Sequence, residues 1–167
     1  SGKSTILELI TRMYDVEQGQ ILIDERNIKD LNLNDLRKSI SVVPQDCFLF
    51  SDTIAHNIKF GKPQASEAEV IQVAKLAQVH DNIMDFKDNY QTVLGERGIT
   101  LSGGQRQRVS IARALLKEAQ IYVFDDCLSA VDTDTEDKIL QNLSQVAQQT
   151  TRIIVSHRVS VARNADY

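Results

Sequence analysis

Lys3 sits between Gly2 and Ser4, and the run Ser1-Gly2-Lys3-Ser4-Thr5 leads directly into Ile6, Leu7, Leu9 and Ile10, an apolar pattern of helical period. It matches the second half of the phosphate-loop pattern G-x-x-x-x-G-K-[ST]. The chemistry calls for these residue types. Gly2 lets backbone approach a phosphate, and successive N–H groups at a helix start point at the anion. Lys3 adds a point charge for β and γ phosphates, and Ser4 offers a hydroxyl to Mg²⁺. A plain Ser/Gly helix cap would use the same letters. Against that reading stands Ile121-Tyr122-Val123-Phe124-Asp125, four apolar residues ending in an acid. Such a run places a carboxylate at the C-terminal end of a central strand, where α/β sheets bind ligands. Asp125 is thus the candidate to hold Mg²⁺ or its water.

Leu101-Ser102-Gly103-Gly104-Gln105 precedes a helix carrying Arg106, Arg108 and Arg113. A helix cap and a flexible hinge are the two plain explanations. A third is an anion site: Gly103 and Gly104 expose N–H groups at a helix start, Ser102 adds a hydroxyl, and the helix dipole favours negative charge there. At residue frequencies of roughly 5–10% each, this ordered set of residues arises by chance about once in a million positions.

The elements that must position these groups alternate between strand-like and helical runs, which predicts an α/β fold with a mainly parallel sheet flanked by helices. Strands are expected at Gln20–Asp24, Ser39–Val43, Ile121–Asp125 and Arg152–Ser156, with Ile121–Asp125 in mid-sheet. Ser66 with Glu69, and Thr133 with Glu136, read as capping boxes. The first precedes Val70, Val73, Ala74 and Ala77; the second precedes Ile139, Leu140, Leu143, Val146 and Ala147. Residues 46–105 read as a helical lobe inserted into a core formed by 1–45 and 106–167.

With 167 residues, 42% apolar and 25% charged, the chain has the composition of a globular domain. A net charge of −4 argues against a large nucleic-acid footprint, and no run of about 18 apolar residues predicts direct membrane insertion. Cys47 and Cys127 lack metal-ligand spacing and read as reduced thiols of a cytosolic compartment.

Together these motifs make the chain resemble, over nearly its whole length, the nucleotide-binding domain of ATP-binding cassette (ABC) proteins, a P-loop NTPase-like fold with a RecA-like core. Gln45 in Val43-Pro44-Gln45-Asp46 is similar to the family's Q-loop, Ser129-Ala130-Val131-Asp132 to its D-loop, and His157 in Ile154-Val155-Ser156-His157-Arg158 to its switch histidine. The resemblance implies ATP and Mg²⁺ as ligands. Ser1, Gly2, Lys3, Ser4 and Thr5 would grip the phosphates, Ser4, Gln45 and Asp125 would serve the metal, and Asp126, His157 and Gln45 the chemistry. It also implies a second ABC ATPase domain, docked head to tail so that Ser102, Gly103, Gly104 and Gln105 close over the other chain's ATP. Asp132 would communicate across that boundary. The segments Gln45–Ile58 and Val93–Gly98 resemble exporter-type domains, which implies attachment to the cytoplasmic face of a membrane through a transmembrane domain. Glu96 and Arg97 would then belong to the loop touching that domain's coupling helices; their plain reading is a surface ion pair. His56 and His80 receive no role.

One position departs from the family. Asp126 stands where a water-polarising Glu is usual, withdrawing the carboxylate by about 1 Å, a misplacement that can cost roughly a hundredfold in rate. The expectation is a slow or degenerate site of its own, beside an intact Ser102–Gln105 serving a different partner chain. A slow homodimer, a regulatory ATP-binding module and a soluble ABC ATPase are the alternatives. The family's first loop glycine, preceding strand and adenine-stacking aromatic would precede Ser1, so the fragment alone is expected to bind ATP weakly.

Overall fold

The computed structural model describes residues 2–95, 99–146 and 150–157. Among them the helices are α1 (Lys3–Ile10), α2 (Leu33–Ser39), α3 (Ile54–Lys59), α4 (Glu67–Leu76), α5 (His80–Met84), α6 (Gly103–Leu116) and α7 (Thr133–Val146). The strands are β1 (Leu22–Ile23), β2 (Arg26–Asn27), β3 (Ile40–Val43), β4 (Ile121–Asp125) and β5 (Thr151–Val155).

β4 is the hub. It pairs in parallel with β3, from Ile40↔Ile121 to Val43↔Phe124, and with β5, from Ile121↔Thr151 to Asp125↔Val155. The order β3-β4-β5 puts it in the middle, as its unbroken apolar run predicts. Both faces are covered. Val123 packs with Leu7, Ile28, Leu36 and Ile40. Tyr122 and Phe124 join a larger core with Val109, Ile111, Leu115 and Ile139. Leu7 therefore anchors α1 under one face, while α6 lies on the other.

α6 is enclosed on two sides. Toward the sheet, Ser41 Oγ donates to the carbonyl of Ala114 at 3.1 Å, and Lys117 Nζ donates to the carbonyls of Arg37 (2.6 Å) and Ile40. On the other side α3 and α4 pack along it. α4 starts with the expected capping box: Ser66 Oγ accepts from Glu69 N–H at 3.2 Å, and Glu69 Oε2 accepts from Ser66 N–H at 2.7 Å. Val70, Val73, Ala74 and Ala77 are buried in the shared core.

Two expectations need correction. The run Gln20–Asp24 is not a strand of the parallel sheet: only Leu22–Ile23 is extended, and it pairs antiparallel with Arg26–Asn27. The cause is a two-residue turn. Asp24 (φ 47) and Glu25 (φ 64) both take left-handed backbone, which folds the chain back on itself at once. Nor does Thr133 cap α7. Asp132, one position earlier, accepts from Thr135 N–H at 3.0 Å through Oδ1, and Glu136 is fully buried. β3 and β5 also begin one residue away from their expected starts, at Ile40 and Thr151.

Candidate nucleotide-binding site

α1 opens on Gly2, whose φ of 76 and ψ of −7 lie in the left-handed region, and no side chain caps the helix. A left-handed glycine at a helix start turns the following N–H groups outward together, a cradle for an anion. Thr5 is exposed beside it. Ser1 and the side chains of Lys3 and Ser4 lie outside the described structure.

The sheet gathers the other groups at one edge. Val43 and Phe124 are a register pair, and Phe124 pairs in turn with Ile154. Gln45 and Asp126 each lie two residues beyond that row and His157 three, all at the C-terminal edge, where Asp125 ends β4. Gln45 and His157 are exposed and Asp126 is half-buried. Asp126 N–H donates to the carbonyl of Val155 at 2.8 Å, and its φ of 45 is left-handed. Asp enters that region more readily than longer side chains because its carboxylate bonds locally.

Oxygen donors at this edge suit Mg²⁺, which takes one or two protein ligands and fills its octahedron with phosphate and water. Among the described residues no group of three or more His, Cys, Asp or Glu forms a self-sufficient metal cage. Asp125 and Gln45 are oxygen donors of this kind at that edge.

The start of α6 is capped on both sides of its first turn, an ordered helix start where a hinge would have left the chain open. Ser102 Oγ accepts from Gln105 N–H at 3.2 Å, and Gln105 Oε1 accepts from Ser102 N–H at 2.9 Å. Gly104 is needed for close approach: a Cβ there would lie 2.7 Å from the carbonyl oxygen of Ala130. Buried Gln107 clamps the same turn, donating through Nε2 to Ser129 Oγ at 3.1 Å and accepting from Ala130 N–H through Oε1 at 3.0 Å. The Thr135 N–H that Asp132 accepts holds its carboxyl below the ordinary range.

The arginines of α6 divide by role. Arg106 is exposed. Arg108 donates to the carbonyls of Gly104 (3.2 Å) and Gln78. Arg113 is a bracket: it donates to Asn57 O (2.7 Å), Phe48 O (3.0 Å) and Asn57 Oδ1 (3.0 Å) and lies over the rings of Phe50 and Phe60. Buried Asn57 completes it, accepting from Phe50 N–H at 2.8 Å and donating to Phe50 O and Thr53 O at 3.0 Å. This holds Phe48 (67% exposed), Phe50 and Phe60 (64% exposed) as an aromatic patch just beyond Gln45. Neither Gln107 nor Asn57 stands out in the sequence, since a lone amide in a helix has no period or spacing to mark it.

His80 Nδ1 lies 2.8 Å from Tyr90 Oη and His56 Nδ1 lies 3.0 Å from Asp52 Oδ1, away from the sheet edge. Cys47 and Cys127 are free thiols, and burial pushes the Cys127 thiol up. Glu96 and Arg97 lie outside the described residues.

Comparison with known proteins agrees with this geometry. The family model described as ABC transporter matches residues 1–129. The chain is 48% identical over 165 residues to the heavy metal tolerance protein of Schizosaccharomyces pombe, covering 99% of this chain and 20% of that protein. It is 46% identical over 165 residues to the ATP-dependent lipid A-core flippase of Syntrophus aciditrophicus, covering 99% and 28%. Among solved structures, a bacterial Atm1-family ABC exporter with ATP bound superposes with a TM-score of 0.94 at 45% identity, covering 99% of this chain and 29% of that one. The chain spans less than a third of the length of each.

Proposed function

The chain belongs to the ABC transporter family, and from that premise we propose that it is the ATP-binding and ATP-hydrolysing domain of a membrane exporter. The observation that carries the proposal is the convergence of Gln45, Asp125, Asp126 and His157 on one edge of the parallel sheet. In this reading the turn at Gly2 receives the phosphates through backbone N–H groups, and the Lys3 ammonium balances their charge. Ser4, Gln45 and Asp125 would hold Mg²⁺, which would supply positive charge to the phosphate oxygens. Asp126 accepts a proton from the attacking water, and His157 and Gln45 orient water and γ-phosphate.

The capped, glycine-bearing start of α6 supports a second contact, made to ATP held by another ABC ATPase domain. Asp132, next to that surface, and Glu96 and Arg97 are assigned to communication between the domains. The aromatic patch at Phe48, Phe50 and Phe60 suits a protein partner, here the transmembrane domain of the exporter on the cytoplasmic face of its membrane. Among the described residues no helix is long and apolar enough to cross a membrane. A net charge of −4 makes nucleic acid an unsuitable partner.

Asp126 sets the rate. Its carboxylate is one methylene shorter than glutamate, so the site built on this chain binds ATP and turns it over slowly, and the intact α6 start serves a faster site on an unlike partner. In the assembled full-length protein, Mg²⁺-dependent single-turnover hydrolysis at this chain's own site is expected to fall more than tenfold in His157→Ala with ATP affinity retained. Asp126→Glu is expected to raise hydrolysis at that same site by up to about a hundredfold. Unchanged activity in both variants overturns the assignment of the chemistry to this edge. Asp126 also favours a regulatory module with negligible turnover as the second reading, which single-turnover hydrolysis in the assembled protein distinguishes.

A further inference from the structure

Gln107 lies in the interior, away from the sheet edge, yet it ties together two segments that the proposed function places at a partner domain. Its side chain is 7% exposed. One end donates to Ser129 Oγ at 3.1 Å and the other accepts from Ala130 N–H at 3.0 Å. Gly104 lets the same turn come against the helix, where a Cβ would lie 2.7 Å from Ala130 O; one at Gly103 would only reach contact distance, 3.4 Å from Ala130 Cβ. Beyond the turn, Val131 is buried and Asp132 caps α7. Ser129, Ala130 and the start of α6 thus form one continuous rim: backbone hydrogen bonds from Ser129 N–H to Asp126 O (3.3 Å) and from Val131 N–H to Leu128 O (3.0 Å) shape the turn, and the Gln107 amide ties it to α6.

We infer that Gln107 is a positioning residue for ATP-dependent closure, holding the Ser129–Ala130 turn in register with Ser102–Gln105 so that both meet a partner domain at once. The inference rests on the proposed function, because it takes that rim to face a partner's nucleotide. A free turn would present the two contacts at variable spacing, and closure would then have to order the turn as well. The residue touches no nucleotide on its own chain, so its loss acts on closure and leaves the first binding event alone.

The test uses the full-length protein in lipid nanodiscs. Gln107→Met keeps the length and removes both hydrogen bonds; Ser129→Ala removes one and perturbs the core less. Closure is read as the closed fraction in spin-label distance measurements with Mg²⁺ and a non-hydrolysable ATP analogue, and binding to the open form with a fluorescent nucleotide. Gln107→Met is expected to lower the closed population and kcat by about tenfold, with open-form affinity unchanged and Ser129→Ala in between. Combining the two should cost no more than Gln107→Met alone. Wild-type closure in both variants overturns this inference alone. A parallel loss of open-form affinity also overturns it, since the effect would then be structural. A wild-type protein that never closes on nucleotide overturns the functional reading with it.

Discussion

At the scale of single residues, the twin glycines and the acid after β4 answer to different pressures. Gly103 leaves ordinary contact distance to Ala130, whereas Gly104 leaves none. Gly104→Ala must push the Ala130 carbonyl or the helix start aside, which costs about 1–3 kcal/mol. A urea titration should show that loss, and Gly103→Ala should stay within about 1 kcal/mol on the same measurement. Asp126 sits where the backbone turns left-handed, so the replacement that lengthens its carboxylate also strains the chain. Asp126→Glu is accordingly expected to gain turnover while losing on the order of 1 kcal/mol of stability, measured by calorimetry. The histidine beyond β5 has no such constraint and is free to be judged by chemistry alone.

At the scale of elements, helix caps and buried amides decide how firmly the rim and the aromatic patch are held. Asn57 receives and donates hydrogen bonds at once with Phe50, Thr53 and Arg113. Asn57→Ala strands those partners and should destabilise by about 1–3 kcal/mol, seen as a lower urea midpoint with a quenched aromatic-patch signal. The cap of α4 gives a pH signature. Lys62 first, then Ser66, hold the Glu69 carboxyl down from an ordinary 4.5 to about 2. A depressed acid contributes its stability above the ordinary value and loses it as pH falls toward the depressed one. The melting-temperature gap between wild type and Glu69→Gln should therefore be constant above about pH 5 and vanish near pH 2. Much of this layer was legible in advance. Four consecutive apolar residues marked β4, and Ser66 with Glu69 marked α4. The β1–β2 hairpin was not, because Asp24-Glu25 lacks the Asn-Gly or Asp-Gly chemistry that announces such a turn. The cap of α7 was displaced because Asp132 and Thr133 are both good caps standing side by side, and the helix takes the first of them. Gln107, Asn57 and Arg113 were illegible as a set, since their partners, mostly backbone groups, are brought close only by the fold.

At the scale of the whole molecule, the helices α3 and α4 share a core with α6, β4 and α7. Heat or denaturant should remove the helical layer and the sheet in one transition, and coincident far-ultraviolet and aromatic signals would check this. The central strand carries a further consequence. Ile40 pairs with Ile121, so β3 emerges from the ribosome about eighty residues before its neighbour exists, and a chain of such high contact order forms its sheet slowly. Throughout that interval an apolar edge waits without a mate, and a nascent polypeptide in this condition is open to capture by other chains. Chaperone cover over Ile40–Val43 is thus expected to be needed during synthesis, and to become dispensable once Ile121–Asp125 and the stretch after it have been made.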